Sequence, residues 1–147
     1  SVEAQVLNLL LDLKDEFKLT YVFISHDLHV VRYMSDRVMV MYLGKVAEIG
    51  PSEAIFDDPF HPYSAALTRS MPTMDPDNRT NEAPLFGDPP NPIDPPPGCR
   101  FHTRCSLAEA VCSKREPVLT RAAELHDVAC LRSEPGSGHS AAPAVAA

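Results

Sequence analysis

The sequence has no apolar run long enough to cross a bilayer and no excess of positive charge. The apolar run at residues 9–11 is cut off by Asp12 and Lys14, and no run approaches the ~20 residues that a spanning helix needs. The formal net charge is -7, whereas a protein that binds nucleic acid needs a basic face for the phosphates. Neither a membrane-spanning chain nor a nucleic-acid partner is therefore expected.

The sequence also shows no signal peptide, and it opens at Ser1 rather than at a methionine. This opening predicts that the chain is a piece of a longer cytosolic protein. Hydrophobic residues make up 44% of the chain, which is enough for a packed core. In a reducing cytosol, the four cysteines are expected to be metal ligands rather than disulfide partners.

Composition divides the chain into stretches of different character. Residues 1–71 have the composition of an α/β protein, whereas residues 72–97 hold nine of the fifteen prolines and predict an arm without helix or central strand. All four cysteines lie in residues 98–132, which are predicted to form a small lobe after this arm, so that arm and lobe together span residues 72–132. Residues 133–147, rich in Ser, Gly, Ala and Pro, are predicted to be disordered.

Apolar periodicity predicts the first elements. A helix is expected over residues 2–17 with Ser1 as its N-cap, because apolar side chains recur there at helical spacing. Residues 20–24 are β-branched or aromatic with no polar alternation, and they predict a strand buried on both faces, as in a parallel sheet. The chain supplies too few strands to surround it, so part of the sheet is expected to precede Ser1.

Shorter elements are predicted to follow this strand. Their order is a short helix ending near Met34, a hairpin of residues 38–42 and 45–49 that turns at Gly44, and helices beginning near Pro51 and His61. Alternation of helices with apolar strands is typical of a doubly wound α/β unit.

Several short motifs, in this order, carry a resemblance to a known family. They are Leu-Thr-Tyr-Val-Phe-Ile-Ser-His-Asp-Leu at 19–28, Ser-Asp-Arg-Val at 35–38, Met-Tyr-Leu-Gly-Lys at 41–45 and Glu-Ile-Gly at 48–50. They resemble the stretch after the D-loop of ABC transporter ATPases. His61-Pro62-Tyr63, interpreted as structural markers without a ligand, and the cysteines narrow the resemblance to the ATP-binding subunit of oligopeptide/dipeptide importers.

The resemblance covers residues 1–131 and implies an α/β fold. Residues 1–71 would be the C-terminal part of an ABC ATPase domain, with a parallel sheet plus a hairpin, and the proline-rich arm and the cysteine lobe would follow. The sequence contains no Gly-rich phosphate loop, no signature segment and no Walker B acid. ATP and Mg²⁺ are therefore expected as cofactors of the full-length protein only, and the 147-residue polypeptide by itself is expected to be inactive.

His26 matches the switch histidine of that family. An imidazole at the C-terminal end of a parallel strand can hydrogen-bond a γ-phosphate oxygen and help to hold the attacking water. The alternative is that His26 and Asp27 only begin the next helix, with Asp27 as N-cap. Ser25, His26 and Asp27 are not expected to form a hydrolytic triad, because the members of a triad come from separate segments.

The cysteines are Cys99, Cys105, Cys112 and Cys130, and four thiolates can bind one zinc ion or an iron–sulfur cluster. Their spacing includes no Cys-x-x-Cys pair and leaves open both a metal site and four scattered thiols. Resemblance to the peptide-importer branch implies a four-iron four-sulfur cluster held by these four residues.

Zinc is the alternative to the cluster, and His102 or His126 could then replace a weak cysteine ligand. Arg100 and Arg104 flank the site, where positive charge would favour thiolates or offset the charge of a cluster. A solvated surface position is the other interpretation of both arginines.

The resemblance implies a subunit that couples ATP hydrolysis to the import of oligopeptides or dipeptides. It would lie peripherally on the cytoplasmic face of the cell membrane, with a second ATP-binding subunit and two membrane-spanning permease subunits as partners. An extracytoplasmic peptide-binding protein would be an indirect partner. The alternative is a stand-alone metal-binding interaction module without an ATPase role. A small hydrolase built on His26 would lack a nucleophile and a second acid.

Overall fold

The computed structural model describes residues 1–71, 85 and 87–145, which fall into two compact units, Ser1–Asp36 and Arg37–Ala147. Most of the predicted proline-rich arm, residues 72–84 and 86, lies outside the described residues. None of the helices in the described part of the chain combines the length and the hydropathy that a membrane span requires.

Two helices make up the first unit. Helix α1 spans Val2–Phe17, and the Ser1 hydroxyl caps it by accepting the Ala4 N–H at 3.3 Å. Helix α2 spans Leu28–Met34. Both helices and the Ser1 cap confirm the sequence prediction.

Polar bonds connect α1 with the residues around α2. The Lys14 ammonium lies 2.7 Å from an Asp36 carboxylate oxygen, and the Tyr33 hydroxyl donates to the Asn8 side-chain oxygen at 2.8 Å. Helix α1 buries none of its residues, although its sequence has an apolar stripe. Val2, Val6, Leu9 and Phe17 of this stripe are exposed, whereas Leu10 and Leu13 are half-buried.

The predicted strand at residues 20–24 is not formed. The segment has no regular secondary structure, and Val22 and Ile24 are 92% and 93% exposed. A strand requires hydrogen-bonded neighbours, and the first unit contains no strand to pair with it. The prediction of a buried parallel strand is thus wrong for the described residues, in which every strand pairing is antiparallel.

A four-stranded antiparallel sheet organises the second unit. The predicted hairpin is confirmed as β1 (Arg37–Tyr42) and β2 (Lys45–Pro51), which turn through Leu43 and Gly44 at positive φ. Two later strands, β3 (Thr120–Ala123) and β4 (His126–Val128), complete the strand order β1-β2-β4-β3. Residues 98–132, here named the cysteine segment, therefore contribute two strands to the same sheet as the hairpin.

Short helices pack against this sheet, and their positions agree with the prediction. Helix α3 spans Ser52–Asp57 and helix α4 spans Pro62–Arg69. Two single 3₁₀ turns, His102–Arg104 and Ala110–Ser113, occupy the cysteine segment. The apolar part of the core combines α3, the hairpin and the cysteine segment; its most buried members are Ile55, Val128, Leu131 and Phe101.

Residues 133–145 differ from the predicted disorder. Glu134, Ser137 and His139 are buried, at 5%, 3% and 7% exposure. Their polar atoms bond to residues of the cysteine segment, so the small and polar composition of this stretch does not leave it solvated. A composition rule cannot detect such bonds, because they depend on which groups the fold brings within reach.

Candidate functional site

His26 lies at an exposed bend directly before α2. The neighbouring Asp27 caps that helix, because its carboxylate accepts the His29 N–H at 2.9 Å and the Val30 N–H at 3.2 Å. The predicted N-cap role of Asp27 is confirmed. This cap fixes the backbone at residue 27, and the neighbouring His26 is exposed.

The four cysteines line one small cavity of about 20 Å³ in the second unit. All four are free thiols, with Cys112 and Cys130 buried and Cys99 and Cys105 half-buried. Three histidines from different parts of the chain also line the cavity, namely His61, His102 and His139. The structure therefore brings the predicted cysteines together although they are far apart in the sequence.

Gly98 allows the first and third cysteines to come close. The Cys99 N–H donates to the Cys112 carbonyl at 2.8 Å. Gly98 has φ +71°, and a Cβ there would lie 2.4 Å from the same carbonyl oxygen. Only glycine fits this turn, because any side chain would be strained and would collide with backbone.

Burial raises the pKa of three of the four thiols. It acts on Cys99, Cys105 and Cys130, and it raises the pKa of Cys130 to about 11. Backbone N–H groups of Phe101 and His102 oppose the effect at Cys99 by favouring the thiolate. At neutral pH these three thiols therefore favour the protonated form, and a metal would have to displace their protons on binding.

The donor set fits a cluster in number and type, since each iron of a four-iron cluster takes one cysteine thiolate. No group of three or more His, Cys, Asp or Glu side chains within the described residues has the geometry to hold a single metal ion. A tetrahedral zinc site would need its sulfurs about 3.8 Å apart, given Zn–S bonds of about 2.3 Å. A cluster would need the cysteine side chains to turn outward, because a 20 Å³ cavity has room for roughly one water.

The two histidines of the zinc alternative differ in position. His102 lies at the cavity, with its Nδ1 2.8 Å from the Cys99 carbonyl oxygen. His126 does not line the cavity, because its Nε2 is bonded to a Glu48 carboxylate oxygen at 2.7 Å. The expectation that His126 could replace a cysteine ligand is therefore wrong.

Arg100 and Arg104, which flank the first two cysteines in the sequence, occupy different places in the structure. The Arg100 guanidinium donates to the Leu43 carbonyl at the turn of the hairpin. Arg104 ends the 3₁₀ turn that follows Cys99. Arg100 thus acts as a link to the hairpin rather than as a partner of a thiol.

His61 and Pro62 begin α4, as predicted. The His61 Nδ1 accepts the Tyr63 N–H at 3.0 Å, and Pro62 is the first residue of the helix. His61 is 3% exposed, and burial lowers its pKa to about 4. A neutral imidazole is required here, because only an unprotonated nitrogen can accept the N–H.

Aromatic rings join the hairpin, α4 and the cysteine segment. The ring centroids of Tyr42 and Tyr63 lie 4.8 Å apart, and Phe101 lies 5.2 Å from Tyr42 and 5.3 Å from Tyr63. The expected packing of Tyr63 on the preceding part of the chain is confirmed. These contacts hold Phe101, and with it the backbone between Cys99 and Cys105.

Sequence reasoning missed Glu48, the most buried charged residue of the unit, at 0% exposure. Its carboxylate accepts the His126 Nε2–H and the Phe60 N–H, each at 2.7 Å, and the His61 N–H at 3.1 Å. Gly50, next along β2 on the same face, leaves space for the ring, since a Cβ there would lie 2.8 Å from His126. The only sequence signal was the Glu-Ile-Gly motif that carries both residues.

A second cavity of about 340 Å³ adjoins the cysteine site. It shares His61, Cys99 and Phe101 with the wall of the smaller cavity. The Lys45 ammonium and a Glu116 carboxylate oxygen, 2.8 Å apart, form an ion pair among its lining residues.

Comparison with known proteins matches both the hairpin and the cysteine segment. Residues 47–112 match the family "Oligopeptide/dipeptide transporter, C-terminal region". The chain is 46% identical over 134 residues to the di/tripeptide transport ATP-binding protein DppF of Pseudomonas aeruginosa, covering 91% of this chain and 41% of that relative. It is 48% identical over 132 residues to the oligopeptide transport ATP-binding protein AppF of Bacillus subtilis, covering 88% and 40%.

A third relative, the dipeptide transport ATP-binding protein DppF of Escherichia coli, is 50% identical over 119 residues, covering 81% of this chain and 36% of the relative. The chain thus spans about two fifths of the length of the curated relatives that it matches. The order of the sequence motifs and the similarity to these relatives indicate the same family, and the hairpin that carries Glu48 and Gly50 forms as the motifs predict. The chain belongs to the family of ATP-binding subunits of oligopeptide/dipeptide ABC transporters and matches its C-terminal region.

Proposed function

We propose that the protein containing this chain couples ATP hydrolysis to the import of oligopeptides or dipeptides. The observation that supports this function is the identity of 46–50% to proteins named as peptide transport ATP-binding proteins. ATP and Mg²⁺ would bind to the rest of the subunit. None of these names supports the alternative of a stand-alone metal-binding module.

His26 is the residue of this chain that would act on the nucleotide. Its imidazole is exposed, and the Asp27 cap holds the backbone beside it. A neutral or protonated imidazole N–H can donate to a γ-phosphate oxygen as negative charge develops there. In this role His26 stabilises the transition state and positions the attacking water, and it contributes little to ATP binding.

The test is His26→Ala in the full-length subunit, assembled with its partners. Loss of one donor to a developing anion lowers turnover by about a hundredfold or more. Nucleotide affinity should stay within a few-fold of the unmodified protein. His29→Ala is the matched control, because His29 is exposed on α2 only three residues away. Equal turnover in the two variants would refute the proposed role of His26 and would mean that it only begins the next helix.

The partners would be a second ATP-binding subunit and two membrane-spanning permease subunits, with a peptide-binding protein outside the membrane as an indirect partner. The subunit would lie on the cytoplasmic face of the cell membrane as a peripheral protein. Co-purification with the permease subunits from detergent-solubilised membranes tests this arrangement. Recovery of the subunit without permease from crosslinked membranes would contradict it.

Cys99, Cys105, Cys112 and Cys130 would hold a four-iron four-sulfur cluster. The convergence of all four on one cavity supports this proposal. When bound, a cluster supplies four strong iron–sulfur bonds that join distant parts of the segment. The residues themselves contribute donors and a closed environment, with Gly98 keeping Cys99 and Cys112 adjacent.

Metal analysis after anaerobic purification tests the cysteine centre. The cluster requires iron and acid-labile sulfide in about equal amounts, with broad absorption near 400 nm, and zinc would instead leave the protein colourless. Cys130→Ser should lower the metal content, whereas Ser113→Ala, next to Cys112, should not. A protein that contains neither iron nor zinc would refute the metal centre.

A further inference from the structure

We propose that residues 133–141, here named the closing segment, form a wall of the cysteine site and control the access of reagents to its thiols. His139 is the residue of this segment that reaches the cavity. The inference deepens the cysteine centre proposed above, since that site is what the segment would shield. The contacts that carry it are independent of any metal.

Glu134 fixes the beginning of the closing segment. It is 5% exposed, and its carboxylate accepts the Arg115 guanidinium and, at 3.2 Å, the Val118 N–H. Arg115 also donates to the carbonyls of Gly136 and Ser137, each at 3.3 Å. A buried carboxylate with two donors is a specific attachment, because leaving either donor without an acceptor is costly.

Ser137 fixes the middle of the segment. Its hydroxyl donates to the Leu131 carbonyl at 2.5 Å and accepts the His139 N–H at 3.2 Å. Leu131 follows Cys130 and lines the cavity. The segment is therefore bonded directly to the backbone beside one cysteine.

The imidazole of His139 has a defined tautomer. Its Nε2 lies 3.1 Å from the Leu107 carbonyl, which can only accept, so this nitrogen carries the hydrogen. Its Nδ1 accepts the Ala141 N–H at 3.1 Å. Both ring nitrogens are thus used by the backbone, and the 7% exposed ring forms part of the cavity wall rather than a metal ligand.

The end of the segment is bonded to the turn that holds Cys112. Glu109 accepts the Ser140 N–H at 3.0 Å and also the Ser140 hydroxyl. These bonds keep the pKa of Glu109 below its usual value. The Glu109 N–H in turn lies 3.5 Å from the Cys112 sulfur. Movement of the closing segment would therefore loosen the turn around Cys112.

The experiment measures the alkylation rate of each cysteine by iodoacetamide in the reduced, metal-free full-length protein, with mass spectrometry to separate the sites. Glu134→Ala removes the first attachment, and the exposed Glu124→Ala is its control. The buried thiols Cys112 and Cys130 should react roughly tenfold or more faster in Glu134→Ala, and less than twofold faster in the control.

Gly138→Ala is a second variant with its own control. Gly138 has φ +87° and Gly87 has φ +74°, so alanine strains the backbone at both, but only Gly138 lies in the closing segment. Faster alkylation of Cys112 and Cys130 in Gly138→Ala alone supports the proposal. Rates within twofold of the unmodified protein in both Glu134→Ala and Gly138→Ala overturn it.

Hydrogen exchange in the unmodified protein covers the case in which neither variant folds. The N–H groups of His139, Ser140 and Ala141 should exchange at least about tenfold more slowly than in an unstructured peptide. Exchange at the unprotected rate overturns the proposal. The iron content of the purified protein is measured in parallel. If that protein contains no iron but the variants are alkylated faster, the cluster is refuted and the role of the closing segment is still supported.

Discussion

Replacement of Glu48 should destabilise the second unit more than any other single change of a charged residue in it. The carboxylate is completely buried and accepts from His126, Phe60 and His61. Alanine would leave three donors without an acceptor, two of them buried, and breaking a buried pair by removing one partner costs about 3–5 kcal/mol in the free energy of unfolding.

Glutamine at the same position separates hydrogen bonding from packing. Oε1 accepts from both His126 and Phe60, so the amide oxygen of Glu48→Gln can keep these bonds. The amide NH₂ group then faces the His61 N–H, a donor against a donor. We therefore expect a loss of about 1–3 kcal/mol, smaller than for alanine.

Urea unfolding, followed by tyrosine fluorescence to which Tyr42 and Tyr63 of the second unit contribute, measures both effects, since the chain has no tryptophan. Glu53→Gln and Glu53→Ala are the controls, because Glu53 is exposed in α3. They should change the free energy of unfolding by less than about 0.5 kcal/mol. A loss for Glu48→Ala as small as that for Glu53→Ala would refute the reasoning.

Three further changes test other parts of the structure. Gly98→Ala should reduce the metal content and the stability of the cysteine segment, and equal metal content by elemental analysis would refute the role of this turn. Burial lowers the pKa of His61 from 6.5 to about 4, so its stabilising effect is complete above pH 6.5 and is lost as the pH falls towards 4. Between these pH values the free energy of unfolding should fall by up to about 3 kcal/mol, and by less in His61→Asn. Urea unfolding at several pH values that shows the same pH dependence in both proteins would contradict this prediction. The 147-residue polypeptide should self-associate through its exposed residues 20–24, and light scattering should show less association for Val22→Lys, whose wild-type side chain is 92% exposed.

Local sequence patterns determined most secondary structure correctly. Helix α1, its Ser1 cap, the hairpin turn at Gly44 and the start of α4 at Pro62 depend on neighbours within a few residues. Such signals lie entirely in the local sequence. Residues 20–24 show the limit of this reasoning, because an apolar run indicates a preference for strand but a strand forms only with a partner.

The site depended on contacts between residues far apart in the sequence. The sequence by itself identified four cysteines and the family motifs. Only the fold shows that the thiols line one cavity and that His126 is bonded to Glu48 and does not line that cavity. The burial of Glu48 and the order of residues 133–145 escaped sequence reasoning for the same reason. A charged or small polar side chain is expected in solvent unless donors or acceptors meet it in the interior, and only tertiary structure decides where those partners lie.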